Sequence, residues 1–480
     1  MIFYLEGHDR LNPVLQLLIC LYPDEEHTRG TDVTRPQGEY VVSSLAKDGA
    51  ALIASARDYT GTRVDLRCPD GMREEDHELS EWLRRALFLL LRPRLPKAPD
   101  WGMLTGVKPS KLVLNMLNSG LTPAEAGERL ERDFFVTPRR RELCMKTALV
   151  SQMYRDQRDS KDIELYIGIP FCPAKCSYCS FVSNDVRSRG HLVEPYLETL
   201  FYEIAGLGRV LRETDRRIRT IYVGGGTPSI LSEDQLERFL TRVETDLDLS
   251  ALLEYTWEAG RPETITADKL HIAYAHGVRR ISVNPQTMND DVLRGVGRLH
   301  TAEDVVRCYE LARATADFEI NMDLIAGLPG DDEQSLLSSV RRVAALEPDN
   351  VTLHSLALKK GAPLRFGGTG ELTAETMDAC HDVILGAGYE PYYLYRQKYS
   401  AGGLENVGFA RDGKSCRYNV IMMEETGHVA ALGSGGVTKL AYRDGSITRI
   451  TNPKYPVDYI GRTDLIDRNL QRLTAALERD

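Results

Sequence analysis

The sequence has no excess of positive charge. Its 60 Lys and Arg residues are outnumbered by 70 Asp and Glu residues, which gives a formal net charge of −10 at pH 7. A protein that binds nucleic acid needs a basic surface to displace the counterions that surround phosphates. The charge balance therefore argues against a nucleic-acid partner and favours an enzyme that acts on a small molecule.

The sequence also lacks a long apolar run. The stretch Leu87–Leu91 is too short to cross a bilayer and is flanked by arginine. The segment MIFYLEGHDR at the start contains no basic region followed by an apolar stretch of the kind found in signal peptides. We therefore expect no membrane span and a cytoplasmic location.

Cysteine is scarce and unevenly placed. The 9 cysteines are an odd number in a chain of 480 residues, and three of them fall within one loop. Small secreted proteins held by disulfides show dense, even-numbered cysteines instead. The sequence thus indicates no disulfide framework and fits a compartment in which thiols stay reduced.

A chain of 480 residues is too long for one ordinary core and predicts two or three domains. Residues 1–80 predict a small α/β module of unknown role, and residues 81–157 predict a helical segment. The apolar runs of the first module are Ile2–Leu5, Tyr40–Ser44 and Val64–Cys68, with a helical pattern at Leu15–Cys20. The helical stretches of the second are Leu83–Leu91, Lys111–Leu117, Pro123–Asp133 and Arg139–Tyr154.

Strand and helix patterns alternate six times between residues 158 and 365. The predicted strands are Glu164–Ile169, Thr220–Val223, Glu254–Ala259, Arg280–Asn284, Glu319–Leu324 and Val351–Leu356. Such alternation predicts a parallel sheet with helices outside it, and the chemistry of barrels of this kind lies at the carboxyl ends of the strands. Residues 366–480 lose the alternation, and we predict helices at Thr373–Gly386 and Val457–Leu477 in a region that covers the substrate.

The first of these strands runs into a loop that carries three cysteines. Three residues separate Cys172 from Cys176, and two separate Cys176 from Cys179, so one short loop presents three thiolates to a single metal cluster. Thiolates favour iron–sulfur clusters or zinc. A closed structural zinc site needs four ligands, typically in two separated pairs, and nothing nearby completes such a set. A redox-active thiol pair and three unrelated buried cysteines remain as alternatives.

A glycine-rich motif follows the second predicted strand. Gly224–Pro228 has the sequence Gly-Gly-Gly-Thr-Pro. Consecutive glycines let the backbone approach a charged ligand closely, and their amides and carbonyls can meet the ammonium and carboxylate of an amino acid. Glycines also serve tight turns for steric reasons alone, so the motif gains its meaning from its position after the cysteine loop.

Polar side chains lie at or after the ends of the later strands. Glu258, Gln286, Arg298 and Asp323 supply two carboxylates, an amide and a guanidinium. Directed at one barrel mouth, these groups would be costly to desolvate without a polar ligand. Taken singly, each also fits an ordinary strand-end residue.

Together these motifs resemble the radical S-adenosylmethionine (SAM) superfamily. The segments over residues 162–450 resemble its oxygen-independent coproporphyrinogen III oxidases, the HemN-like family, and the full chain resembles the HemZ subgroup most. The resemblance implies an α/β fold, namely a partial (β/α)6 barrel with an N-terminal α/β-plus-helical extension and a C-terminal lid region. It also implies two cofactors, a 4Fe–4S cluster and SAM, which binds the one iron that has no protein ligand.

The resemblance further implies the residues of the site. Cys172, Cys176 and Cys179 would be the cluster ligands. The residues expected to contact SAM are Tyr166, Tyr178, Gly225, Gly226, Thr227, Glu258, Gln286, Arg298, Asp323 and Ala357. Arg298 is the natural partner of the SAM carboxylate because a guanidinium pairs bidentately. No side chain is assigned a catalytic role, because the cofactor carries the difficult chemistry.

The implied activity is the oxidative decarboxylation of coproporphyrinogen III to protoporphyrinogen IX in porphyrin and haem biosynthesis. A 5′-deoxyadenosyl radical removes hydrogen from a propionate, and loss of CO2 and one electron leaves a vinyl group. An electron donor and an electron acceptor are therefore expected partners.

The tetrapyrrole substrate bears four carboxylates, so cationic groups near the barrel mouth are needed to hold it. The candidate cations are Lys359, Lys360, Arg396 and Lys398, and the candidate ring neighbours are Tyr392, Tyr393, Tyr395 and Tyr399. His354, at the end of the sixth strand, is a candidate for contact with substrate or SAM and equally fits a core histidine.

Two positions depart from the best-characterised oxidases. Phe181 stands where those enzymes have a further cysteine, and Gly168 stands where they have a histidine. The related HemW-like haem chaperones also have phenylalanine at the first position. The alternative function is therefore a haem-binding chaperone with SAM and a cluster but without oxidase activity. A structural cluster protein without radical chemistry is a third reading, and it leaves the glycine motif and the strand-end residues unexplained.

Overall fold

The computed structural model describes the chain except residues 24, 182, 358, 360–361, 365–369, 371, 398–399, 401–402, 443 and 480. Its residues fall into two compact units, Met1–Met145 and Lys146–Asp480. The finer boundaries at 80, 157 and 365 stay predictions. None of the described helices is both long enough and apolar enough to cross a membrane.

The first unit contains a five-stranded sheet in the order β2-β1-β3-β4-β5. The strands are β1 (Ile2–Glu6), β2 (Thr28–Arg29), β3 (Tyr40–Asp48), β4 (Ala51–Asp58) and β5 (Arg63–Arg67). The helices are α1 (Leu11–Leu21), α2 (Leu79–Leu91), α3 (Pro109–Asn118) and α4 (Pro123–Phe134). Leu79 and Leu83 of α2 join Leu52 and Ala54 of β4 in one buried apolar cluster, so the amphipathic face of α2 covers this sheet.

Helix α5 (Pro138–Asp156) leads into the second unit, whose sheet has 11 strands. The strands of this unit are β6 (Asp162–Ile169), β7 (Phe171–Cys172), β8 (Asn184–Asp185), β9 (Arg217–Gly225), β10 (Glu254–Gly260), β11 (Arg280–Val283), β12 (Glu319–Ala326), β13 (Asn350–Ser355), β14 (Glu390–Arg396), β15 (Glu405–Ala410), β16 (His428–Leu432), β17 (Val437–Ala441) and β18 (Ile447–Thr451). Strands β6, β9, β10, β11, β12 and β13 pair in that order, all parallel. These six strands confirm the six predicted from the sequence.

Helices connect the six parallel strands, as predicted, and further helices follow the sixth strand. They are α6 (Val186–Arg189), α7 (Val193–Glu213), α8 (Glu233–Asp246), α9 (Ala267–Ala275), α10 (Asp290–Gly295), α11 (Ala302–Thr315), α12 (Glu333–Ala345), α13 (Ala374–Gly386), α14 (Arg417–Glu424), α15 (Pro456–Tyr459) and α16 (Thr463–Leu477). The prediction of one helix over Val457–Leu477 is wrong. The helical conformation is interrupted between α15 and α16, where Gly461 has a φ of +72°.

Residues late in the chain extend the parallel sheet at both edges. Strand β15 pairs antiparallel with β13 and with β14, so the tyrosine-rich stretch forms an edge strand. At the other edge β16 pairs parallel with β6, followed by antiparallel β17 and β18. Behind this edge the buried Glu203 of α7 accepts a hydrogen bond from the Gly433 amide at 2.8 Å. Because β16 pairs with β6, strand β6 takes its second neighbour from a distant part of the chain.

Strand β6 has one apolar face and one polar or aromatic face, because successive side chains point to opposite sides. Ile163, Leu165 and Ile167 are fully buried on the apolar face. Glu164 and Tyr166 share the other face. The alternation therefore places polar and aromatic side chains on one face of the strand that runs into the cysteine loop.

Candidate functional site

The cysteine loop begins at the carboxyl end of β6 and the short strand β7. Cys172 and Cys176 are 7% and 4% exposed, and Cys179 is half-buried. The Cys179 amide donates to the Cys176 carbonyl at 3.2 Å, and the Ser177 amide donates to the Val296 carbonyl at 3.1 Å. Backbone hydrogen bonds therefore fix the loop both internally and against the segment that follows α10.

Two cysteine sulfurs accept hydrogen bonds from neighbouring side chains. Thr227 Oγ1 donates to Cys172 Sγ at 3.4 Å, and an Arg261 amino group donates to Cys176 Sγ at 3.1 Å. Hydrogen-bond donors and positive charge favour the thiolate, which is the form that binds metals. Burial has the opposite effect at Cys179, where it raises the pKa of the thiol. No sequence motif predicted Arg261, whose local signal is its place directly after β10.

The buried sulfurs fit the ligands of an iron–sulfur cluster. Within the ranges that the structure describes, no three His, Cys, Asp or Glu side chains gather around one metal ion. A cubic cluster does not require such convergence, because each cysteine binds a different iron. Cys172 and Cys176, each with a hydrogen-bond donor, therefore suit the thiolate ligands that the cluster needs.

The glycine motif lies beside the cysteine loop. The Gly226 amide donates to the Ile169 carbonyl at 2.8 Å, and the Thr227 amide donates to the Phe171 carbonyl at 2.7 Å. A Cβ atom on Gly226 would lie 2.5 Å from the Phe171 carbonyl oxygen, and Gly225 has a φ of +111°. Glycine is thus required at both positions, because the backbone of one loop passes directly against the other.

Glu258 of β10 faces this glycine loop. Tyr222 Oη donates to its Oε1 at 3.1 Å, and the Gly225 amide donates to its Oε2 at 3.3 Å. Burial and the nearby charge of Asp323 raise the pKa of Glu258 to about 7, against the lowering effect of those two hydrogen bonds. Among the described residues no Lys, Arg or His forms an ion pair with it. The carboxyl group is therefore placed to receive a cationic or hydroxyl-bearing ligand.

Arg298 is a buried guanidinium, 9% exposed, without an acidic partner. It donates to Tyr178 Oη at 3.2 Å and to the Asn284 carbonyl at 3.5 Å. Its Nε has no hydrogen-bond partner, and no carboxylate of the described chain lies within ion-pair distance. A buried cation without an anion is costly, so the surroundings of Arg298 favour an anionic ligand.

Gln286 and Asp323 are joined through their backbones. Gln286 lies beyond the end of β11 with a φ of +68°, and its amide donates to the Asp323 carbonyl at 2.9 Å. The Asp323 carboxylate accepts a hydrogen bond from Asn321 at 2.8 Å. A left-handed glutamine is uncommon and marks a strained backbone at this point of the mouth.

His354 of β13 lies beside Asp323 and Tyr395. Its Nε2 lies 3.9 Å from Asp323 Oδ1, and its Nδ1 lies 3.2 Å from Tyr395 Oη. Its side chain is 26% exposed. These contacts keep His354 a candidate site residue, and the choice between site and core stays a prediction.

The remaining candidates divide into packing and surface residues. Tyr392 and Tyr393 are 3% and 4% exposed, so these two candidates are packing residues in a buried apolar cluster. Arg396 donates to the Gly403 carbonyl at 3.1 Å, and Lys359 is exposed. Ala357 forms an isolated bridge with Ser400. Lys360, Lys398 and Tyr399 lie outside the described residues.

The tyrosine of the cysteine strand belongs to a stack of rings. Tyr166 lies 6.3 Å from Tyr222 and 6.5 Å from Tyr418, measured between ring centroids. Tyr222 and Tyr418 are 4.7 Å apart. Burial raises the pKa of Tyr166 well above its usual range, so this ring stays neutral. The stack forms an aromatic wall beside Glu258.

Comparison with known proteins identifies the family to which the chain belongs. Residues 166–343 match the family model of the Radical SAM superfamily. The chain is 35% identical over 472 residues to the oxygen-independent coproporphyrinogen-III oxidase-like protein HemZ of Bacillus subtilis (strain 168), which covers 94% of this chain and 93% of that protein. The chain belongs to the HemN-like family of the radical SAM superfamily. Membership of the superfamily implies SAM and a 4Fe–4S cluster as cofactors.

Both an oxidase and a chaperone are among the similar proteins of this family. The heme chaperone HemW of Escherichia coli (strain K12) is 29% identical over 301 residues, covering 61% of this chain and 74% of that protein. The solved structure of the Escherichia coli coproporphyrinogen III oxidase HemN, a radical SAM enzyme, matches with a TM-score of 0.51 at 22% identity, covering 66% of this chain and 72% of that chain. This structural match shows a shared fold.

Proposed function

We propose that the protein is a radical SAM enzyme that converts coproporphyrinogen III to protoporphyrinogen IX by oxidative decarboxylation of two propionate groups. The observation that carries the proposal is a pair of opposite charges without protein partners beside the cysteine loop. Among the residues that the structure describes, Arg298 has no carboxylate within ion-pair distance and Glu258 has no cation there. SAM bears a carboxylate, an ammonium, a sulfonium and ribose hydroxyls, so it supplies what both side chains lack.

The proposed residues divide the work of binding. Cys172, Cys176 and Cys179 hold the cluster, which together with SAM supplies a 5′-deoxyadenosyl radical when both are bound. Arg298 binds the SAM carboxylate, because a guanidinium pairs bidentately with that group. The backbone around Gly225 and Gly226 approaches the ligand closely, while Tyr166, Tyr178, Thr227, Gln286, Asp323 and Ala357 line the rest of the pocket.

The proposed substrate is a tetrapyrrole that carries carboxylates. We place His354 and Tyr395 at the mouth of the site; Arg396 ends β14, and the exposed Lys359 follows β13. Cations at these places would hold propionate groups. We also propose a cytoplasmic protein with an electron donor and an electron acceptor as partners.

A haem chaperone is the second candidate function. Phe181 replaces the further cysteine of the best-characterised oxidases and is 70% exposed, so its ring offers an apolar contact to a flat ligand. Gly168 leaves no imidazole where those oxidases carry histidine. This candidate requires haem binding without turnover of coproporphyrinogen III.

An anaerobic assay tests the proposal. The reconstituted protein is mixed with SAM, a strong reductant, an electron acceptor and coproporphyrinogen III, and mass spectrometry quantifies 5′-deoxyadenosine and tetrapyrroles. Loss of two CO2 with matching 5′-deoxyadenosine is the expected result. Formation of 5′-deoxyadenosine without decarboxylation, together with stoichiometric haem binding, would support the chaperone. Absence of 5′-deoxyadenosine from a protein with a verified cluster would overturn the proposed radical SAM enzyme, and absence of haem binding would overturn the chaperone.

A further inference from the structure

Arg261 is a buried residue of the site that no sequence motif predicted. It follows β10 directly and is 5% exposed. One amino group of its guanidinium donates to the Ala174 carbonyl at 2.6 Å and to Cys176 Sγ at 3.1 Å. A single side chain thus reaches both the backbone of the cysteine loop and one of its sulfurs.

The guanidinium is held from its other side by an acid. Its second amino group lies 3.5 Å from Glu263 Oε1, and Glu263 Oε2 lies 3.0 Å from His300 Nδ1. The His300 side chain is 0% exposed, so the far end of this chain of contacts is fixed in the core. Burial by itself raises the pKa of Glu263. The hydrogen bond with His300 and the charge of Arg261 outweigh burial, so the pKa is lowered overall. Glu263 therefore stays ionised and keeps Arg261 in place.

Arg261 and Arg298 differ in what their charges face. Arg298 donates to a phenol and a carbonyl and leaves its Nε without a partner. Arg261 is directed at a sulfur and anchored by a carboxylate. The first guanidinium is open to a ligand, whereas the second is committed to the cysteine loop.

We propose that Arg261 is a positioning residue that raises the reduction potential of the cluster through Cys176. On reduction the cluster takes one electron from a low-potential one-electron donor, and its charge becomes more negative by one. A charge-assisted N–H···S hydrogen bond and a nearby positive charge stabilise the more negative state, and such contacts tune iron–sulfur potentials. The inference rests on the proposed binding of a cluster by Cys172, Cys176 and Cys179.

The test is a redox titration of the reconstituted full-length protein without SAM, with dithionite as reductant and the EPR signal of the reduced cluster as readout. Arg261→Met removes the charge and the donors at similar length. We expect at least a tenfold lower ratio of reduced to oxidised cluster at a fixed potential, which is 59 mV more negative for a one-electron couple. Arg261→Lys keeps the charge but not the fork, so its shift lies between wild type and Arg261→Met.

Arg279→Gln is the matched control. Arg279 is exposed at the amino end of the sheet, donates to the Tyr274 and Val278 carbonyls, and lies over the Tyr274 ring. Arg279→Gln removes the same unit charge far from the loop, so we expect an unchanged reduction potential of the cluster. An equal shift in this control would overturn the proposal, because it would assign the effect to net charge alone.

An unchanged potential in Arg261→Met with full iron content would also overturn the proposal. If that variant does not load a cluster, Arg261→Gln decides, because its amide can still donate to the Ala174 carbonyl without a charge. A negative shift in Arg261→Gln supports the proposal, and no shift overturns it. Failure of the wild type to decarboxylate coproporphyrinogen III would refute the proposed substrate while leaving the measured potentials, and thus this inference, intact.

Discussion

At the amino ends of the parallel strands, buried charges meet partners of opposite sign. Arg280, at the start of β11, lies 2.5 Å from Glu319 and 3.8 Å from Glu254. Glu254 in turn accepts hydrogen bonds from the Arg417 and Tyr418 amides at 2.8 and 3.1 Å. This end of the sheet is closed by its own ion pairs.

At the carboxyl ends of the same strands, two buried charged side chains, Glu258 and Arg298, lack such partners among the described residues. The like charge of Asp323 adds to burial in raising the pKa of Glu258. Arg298 donates to neutral oxygens alone. The same fold therefore stabilises itself at one end and leaves polar groups for a ligand at the other, which is where parallel α/β barrels carry their chemistry.

The cysteines at the two ends give the largest expected difference. Cys176→Ser removes a thiolate of the loop, and we expect loss of the cluster and of all 5′-deoxyadenosine formation. Cys416→Ser is the control, because Cys416 is equally buried at the amino end and a serine hydroxyl can keep its hydrogen bond to Glu254. Iron content and 5′-deoxyadenosine measure the outcome. Full activity in Cys176→Ser would contradict the assignment of the loop.

Removal of one arginine from each end separates stability from binding. Arg280→Met removes the cation that faces Glu254, while Glu319 keeps Lys414 Nζ at 2.9 Å, and we expect a loss of about 3–5 kcal/mol in the free energy of unfolding. Arg298→Met leaves no carboxylate unpaired, so we expect a change of less than about 1 kcal/mol together with weaker SAM binding. Urea denaturation and equilibrium dialysis measure the two effects. Equal destabilisation by both variants would remove the contrast between the ends.

Glu258 gives the carboxyl end a pH dependence. Its pKa of about 7 in the folded protein lies above its ordinary value of 4.5, so the folded state binds more protons between these values. The free energy of unfolding of the ligand-free protein should therefore fall as pH rises through this window, by roughly 1–3 kcal/mol. Glu258→Gln should lack this component. A wild-type profile parallel to that of Glu258→Gln between pH 5 and pH 8 would refute the prediction.

The smallest effect concerns two threonines. Thr227→Val removes a long, neutral hydrogen bond to Cys172 Sγ, and we expect a small negative shift of the cluster potential, below that of Arg261→Met. Thr220→Val removes a 2.7 Å hydrogen bond to Glu164 in the amino half of the sheet. We expect the second change to lower stability by about 1.5–3 kcal/mol if Glu164 is ionised, without any shift of the potential. A shift in Thr220→Val would count against a local effect at the sulfur.

Sequence patterns within a short segment predicted the strands and helices whose signals lie within that segment. The strand predicted at Glu254–Ala259 is observed at Glu254–Gly260, and the helix predicted at Pro123–Asp133 is observed at Pro123–Phe134. The helix starts with a capping box of Thr122 and Glu125, a signal contained in four residues. The spacing of the three cysteines is likewise readable from one short segment.

Features that depend on distant partners were not predictable in this way. Strand β4 (Ala51–Asp58) is rich in alanine and serine, which give little strand preference, and its neighbours in the sheet determine it. The pairing of β16 with β6 joins segments far apart in sequence, so no local period signals it. Arg261 resembles an exposed strand-end arginine until Cys176 is placed beside it.

The pairing of β6 with β16 also has a consequence for biosynthesis. Roughly 260 residues separate the two strands, so at typical ribosomal rates tens of seconds pass between their emergence. During that interval β6 has an open edge, and Tyr196, which donates to the Gly168 carbonyl at 2.6 Å, has not yet met the Ser434 amide. The strand that leads into the cysteine loop therefore gains its second neighbour late in synthesis.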